Sequence, residues 1–174
     1  MSTRAVDGIV VVDAIDELVA RSKPHRKLTA FHDFHRANPQ VLRFLIEEID
    51  LVISKGHMAF SFNSLWNYGR WKLVWKRAPG ATFKMNDHLQ SFYSRAIIIF
   101  RPDLNGRAEL RVSKADEILG VEFESHQKGT KRYARRLLWA DGTPLERGWR
   151  STLPIVIDAE ARRRPDVHKR SGGR

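Results

Sequence analysis

Cysteine is absent from the 174-residue chain. Its absence excludes structural disulfides, thiolate-based zinc sites and a cysteine nucleophile. Long apolar runs are also missing. Ile9-Val10-Val11-Val12 is followed at once by Asp13, Asp16 and Glu17, too short a run for the core of a secretory signal. No stretch approaches the roughly 20 apolar residues of a spanning helix. The expectation is a cytoplasmic protein with no membrane partner. Neither a phosphate-cradling glycine loop nor a nucleophile motif occurs, so no cofactor and no enzymatic role are expected.

Negative charge is the scarce sign. Twenty acidic residues face 31 lysines and arginines, giving a net charge of +11 and a pI near 10.4. Such a balance favours polyanionic partners, nucleic acid before an anionic membrane surface. The excess is uneven: residues 1–26 carry four basic and four acidic residues, 27–111 thirteen and seven, 112–174 fourteen and nine. Bulky core material is plentiful, with five tryptophans and nine phenylalanines.

The patterning predicts an α+β protein. Gly8 to Val12 reads as a strand and Ala14 to Ala20 as a short helix, forming an N-terminal extension over 1–26. A helical module is expected over 27–112. Leu28, Phe31 and Phe34 have helical spacing. Asn38 reads as an N-cap and Pro39 as the first residue of a helix carrying Val41, Leu42, Leu45, Ile46, Ile49, Val52 and Ile53, with Gly56 past its end. A shorter helix is expected from Ser61 to about Trp71, then a strand-like stretch, Lys72 to Lys76. A third helix starts at Asn86 and stops before Pro102, with Leu89, Phe92, Tyr93, Ala96, Ile97 and Phe100 as its stripe.

Beyond Gly106 the pattern turns to strands: 109–112, 121–124, 136–139 and 153–157, with a turn at Asp141-Gly142. Those after residue 112 make a β-rich extension over 113–160. The basic tail, 161–174, lacks core-forming composition and is predicted to be disordered. Three helices followed by a strand-rich hairpin is the order of a winged helix-turn-helix.

Between Phe31 and about Arg111 the chain resembles a family of small, mostly uncharacterised proteins encoded by phages and prophages. The resemblance is carried by Phe34-His35-Arg36-Ala37-Asn38-Pro39, Leu65-Trp66, Arg70-Trp71, Phe83-Lys84-Met85-Asn86, Tyr93-Ser94-Arg95 and Arg101-Pro102-Asp103-Leu104. Met85, Asp87 and Ser94 depart from the usual pattern, and Asp87 replaces an asparagine. The resemblance implies a phage or prophage origin and no particular activity.

Several residues are candidates for contact with nucleic acid, DNA before RNA. At the leading end of the third helix stand Lys84, Asn86, His88 and Ser91, with Arg95 two turns on. Asparagine pairs with adenine, and lysine and arginine suit phosphates. Arg111 would approach the backbone as a wing or flank. The run Trp66 to Arg77 interleaves aromatics with Arg70, Lys72, Lys76 and Arg77, a mixture suited to stacking on single-stranded bases; Trp66, Trp71 and Trp75 equally read as core anchors. Lys131 and Arg132 belong to the densest basic cluster.

Two further classes of function remain open. An exposed apolar patch at Ile98 and Ile99 would suit capture of a host protein. Asp103, Glu122 and Glu124 form a loose nuclease-like set, with His126 where a lysine is expected. His32 and His35, with His57 or Asp50, are the nearest approach to a metal site, and no recognised motif connects them.

Overall fold

The computed structural model describes residues 9–75, 84–124 and 136–145. Expected features at 76–83, 125–135 and 146–174, including the strand at 153–157 and the basic tail, lie outside the described residues.

The protein is mostly helical, with short strands. Helix α1 spans Ile9–Arg21, α2 Arg26–Ala37 and α3 Gln40–Ser54. A two-residue strand β1, Phe60–Ser61, leads directly into α4, Phe62–Trp75. Helix α5 is Asp87–Phe100, followed by a 3-10 turn at Pro102–Leu104 and β2 at Ala108–Glu109. Then come α6, Lys114–Leu119, β3, Val121–Phe123, and β4, Leu137–Trp139. Strand β1 pairs in parallel with β2, and β3 pairs antiparallel with β4.

The strand expected at Gly8 to Val12 is a helix from Ile9 onward. Val and Ile favour strands locally, but their cost in a helix is below about 0.7 kcal/mol each. Ala14, Ile15 and Leu18 continue the run at helical spacing and are fully buried. Burying a large apolar side chain contributes roughly 1.5–3 kcal/mol, so packing decides. For the same reason Lys72 to Trp75 is not a strand. The buried row Phe62, Leu65, Trp66 and Gly69 keeps its period, and α4 runs on to Trp75. Its start is as expected, with the Ser61 hydroxyl accepting from the Ser64 N–H at 3.3 Å.

Asn38, expected to cap α3, instead closes α2. Its backbone N–H bonds the His35 carbonyl, and its side-chain amide donates to the Phe34 carbonyl at 3.0 Å. Its carbonyl serves α3, accepting from the Val41 N–H at 3.1 Å. Gly56, at φ 87°, supplies the left-handed residue past α3.

Strand 109–112 shrinks to the β2 pair, and Val112 is exposed. The following segment, expected within a β-rich extension, folds as α6. Ser113 caps it: its hydroxyl accepts from the Ala115 N–H at 3.3 Å, and the Asp116 carboxylate accepts from the Ser113 N–H at 2.7 Å. The turn at Asp141-Gly142 forms as expected, with Gly142 at φ 80° and the Thr143 N–H bonded to Asp141 at 2.8 Å.

At the centre lies α5. Every residue from Phe92 to Phe100 is buried, and α1, α2, α4, α6 and the 3-10 turn all pack against it. Its Phe92 and Tyr93 join Phe31 and Trp66 in an aromatic cluster, with Phe31 stacked on Phe92 at 5.2 Å and edge-on to Tyr93 at 5.0 Å.

Candidate nucleic-acid interface

The first turn of α5 is the part of that helix that reaches solvent. Asn86 takes the cap position with extended backbone, yet its side chain makes no capping hydrogen bond. Its backbone carbonyl accepts from the Leu89 N–H at 3.0 Å. Lys84, Asn86, Asp87 and His88 are all exposed. Ser91 stands one turn further and donates its hydroxyl proton to the His88 carbonyl at 3.0 Å.

Arg70, from α4, fastens this start. Its Nε donates to the Met85 carbonyl at 3.1 Å, and its Nη2 pairs with Asp87. The ion pair itself is largely exposed and stabilises little. Its effect is positional, fixing the register of residues 85–87 against α4. Lys72 is likewise engaged, donating to Glu48 Oε1 at 2.9 Å and lying over the rings of Phe44 and Tyr68. The hydrogen bond to Glu48, ahead of the Tyr68 contacts, holds the Lys72 ammonium above its ordinary pKa.

Arg95 does not belong to this surface. Its side chain is 3% exposed, because α6 covers the face of α5 that carries it. Its Nε donates to Asp116 Oδ1 at 2.7 Å, its Nη1 to the Ser94 hydroxyl, and its Nη2 to the Arg111 carbonyl. The guanidinium also sits over the Phe123 ring at 5.7 Å. Arg95 therefore joins α5, the segment before α6, α6 itself and β3. Arg111 has an exposed side chain. Lys76, Arg77, Lys131 and Arg132 lie outside the described residues.

The tryptophans part company. Trp66 is buried as a core anchor, whereas Trp71 is 58% exposed and Tyr68 is 41% exposed. These two rings, three residues apart on α4, stack at 6.4 Å with planes 23° apart. Their position off the buried row Phe62-Leu65-Trp66-Gly69 follows from spacing, once α4 is continued past Trp71.

The other candidate arrangements do not assemble. Ile98 and Ile99 are 1% and 3% exposed, so the apolar patch expected there is core. Asp103 is held by the Arg101 guanidinium at 2.8 and 2.9 Å, which keeps its carboxyl below the usual range. Arg101 also donates to Asp50 at 3.0 Å, tying the end of α5 to α3. His32 pairs with Asp16, while His35 turns into the core and meets the Tyr93 hydroxyl at 3.1 Å. Among the described residues no three His, Asp or Glu side chains are grouped to hold a metal ion, and no helix is long and apolar enough to cross a membrane.

These features define a mostly helical α+β protein with an exposed polar helix start and an exposed aromatic pair. No family model, curated protein or solved structure matches the chain.

Proposed function

We propose that the protein binds nucleic acid, duplex DNA in the first instance, without catalysis or cofactor. The observation that carries this reading is the exposed lead of α5. Lys84, Asn86 and His88 stand together there, and Asn86 spends no side-chain hydrogen bond on its own helix. The net charge of +11 supplies the attraction to phosphate.

The fold reading that goes with this function is a helix-turn-helix made of α3, α4 and α5, with the start of α5 turned to the major groove; β1 and β2 pair in parallel and do not make the hairpin of a wing. Because α5 is buried beyond its first turns, contact is end-on. Asn86 meets a base edge, Lys84 a phosphate, and Arg111 flanks the backbone. A cytoplasmic regulatory role of phage or prophage type belongs to the same reading, through the resemblance of residues 31–111.

Fluorescence anisotropy with a labelled duplex, titrated at several salt concentrations, tests it. Affinity should fall steeply with salt, the logarithmic slope being close to about 0.9 per neutralised phosphate. Lys84→Ala should weaken binding to all sequences and reduce that slope by about one. Absent or salt-insensitive binding to duplex overturns the proposal.

A further inference from the structure

Strand β4 meets β3 along one edge, where the Glu124 N–H donates to the Arg136 carbonyl and the Ala140 N–H to the Gly120 carbonyl, both at 2.9 Å. Its other edge is met at Leu137 by a single side chain. The Asn105 amide donates from Nδ2 to the Leu137 carbonyl and accepts the Leu137 N–H at Oδ1, both at 2.8 Å. This side chain stands in for the peptide group of a further strand and joins the turn after α5 to β4. Gly106 follows at φ 86°, and the stem of Arg136 lies close over it. A Cβ on Gly106 would be 3.2 Å from Arg136 Cγ.

The Asn105-Gly106 pair also carries chemistry of its own. Asparagine is a thermolabile side chain, and a following glycine has no Cβ to hinder attack by its backbone nitrogen. Once base has removed its proton, the Gly106 nitrogen attacks Asn105 Cγ. A new N–C bond forms, the Cγ–Nδ2 bond breaks, and Nδ2 leaves as ammonia with a proton from solvent. Water then opens the cyclic imide, its hydroxyl going to one of the two carbonyl carbons and its proton to the Gly106 nitrogen. The product is an aspartate or an isoaspartyl linkage, with one water taken in and one ammonia released.

The docked fold opposes that step. Ring closure needs Asn105 Cβ eclipsed with the Gly106 nitrogen about the Cα–C bond, and at ψ 123° the two are turned well apart. The Leu137 bonds hold the amide at both ends, so it is not released while β4 is in place.

We propose that Asn105 is a deamidation site, closed while β4 is docked on it and opened when β4 lifts away. Conversion then works against redocking. An aspartate keeps the acceptor for the Leu137 N–H but sets its second oxygen against the Leu137 carbonyl, acceptor against acceptor. An isoaspartyl linkage lengthens the main chain by one carbon. A brief local opening thereby becomes a lasting one, independently of nucleic-acid binding.

Peptide mass spectrometry follows the amide-to-acid conversion in the full chain, in mildly alkaline buffer with and without guanidinium chloride. In denaturant Asn105 should convert ahead of Asn38, Asn63, Asn67 and Asn86, and Gly106→Ala should slow it several-fold. Without denaturant it should convert at least about ten-fold more slowly, the effect of a local opening free energy of about 1.4 kcal/mol or more. The ratio of the two rates should equal the opened fraction that hydrogen exchange of the β4 amides reports in the same buffer. Asn105→Asp should raise that exchange by about ten-fold, the scale of one acceptor left without its donor. Lack of conversion in denaturant overturns the site, and equal rates in the two buffers overturn its closure by the fold. A ratio that matches exchange of the α5 amides instead overturns the opening of β4 alone. Unchanged β4 exchange in Asn105→Asp overturns the effect on redocking.

Discussion

Arg95 and Asp116 show how far a residue's place depends on what covers it. From the periodicity of α5, Arg95 lies off the apolar row and reads as a surface cation. It is buried because α6 brings Asp116 across it, and that docking is not written in the local pattern of α5. A buried pair does not add much over apolar residues of the same shape, but breaking it leaves one charge stranded. Asp116→Ala should lower unfolding free energy by about 3–5 kcal/mol in urea titrations, since it strands Arg95 and also removes the acceptor of the Ser113 N–H. Arg95→Met strands the Asp116 carboxylate in its turn but should bind duplex DNA, per folded molecule, as the wild type does. A loss of affinity in that variant would return Arg95 to the interface.

Among the elements, α2, α3, α5 and most of α4 are legible in the sequence, because a wide apolar row recurring at three and four residues fits a half-buried helix and little else. The elements whose local pattern misleads share a cause. At α1 and at the end of α4, runs of Val, Ile, Leu and Trp suggest strands, and tertiary packing overrides that preference. At α6 the sequence does carry a helix signal within its strand-like surroundings: Ser113-Lys114-Ala115-Asp116 before Ile118-Leu119 has the spacing of a capping box. The outward turn of Tyr68 and Trp71 follows from the same continuation of α4. The packing of α4 on α3 turns on Gly69. Gly69→Ala gains about 1 kcal/mol of helix propensity, but its methyl meets the Phe44 ring at 2.8 Å, and overpacking costs typically about 1–3 kcal/mol. The expected net result is a loss of about 1 kcal/mol, read as a lowered thermal midpoint.

At the scale of the whole molecule, the acid response should centre on His35. It sits where α2 meets α5, wholly buried, and burial lowers its pKa from 6.5 to about 4. The unfolded chain therefore takes up a proton below pH 6.5, which the folded chain refuses until near pH 4. Stability is full above pH 6.5 and is lost progressively as pH falls toward 4. The loss between about pH 7 and pH 5 should be about 2 kcal/mol from this group, measured by urea unfolding at each pH. His35→Phe should lose markedly less over the same interval, whatever its own cost at neutral pH.

The enclosure of α5 from Phe92 to Phe100 bears finally on how the chain acquires its structure. Helices α1, α2, α4 and α6 all lay a face against it, and they come from both sides of it in sequence. During synthesis α1 to α4 emerge before their common surface exists, so their apolar rows stay without a permanent cover until Phe100 has left the ribosome. The chain should then gain its core in one concerted step, with amide protons of α5 among the last to exchange. A fragment ending before Asp87 would be an aggregation-prone intermediate instead of a smaller folded unit.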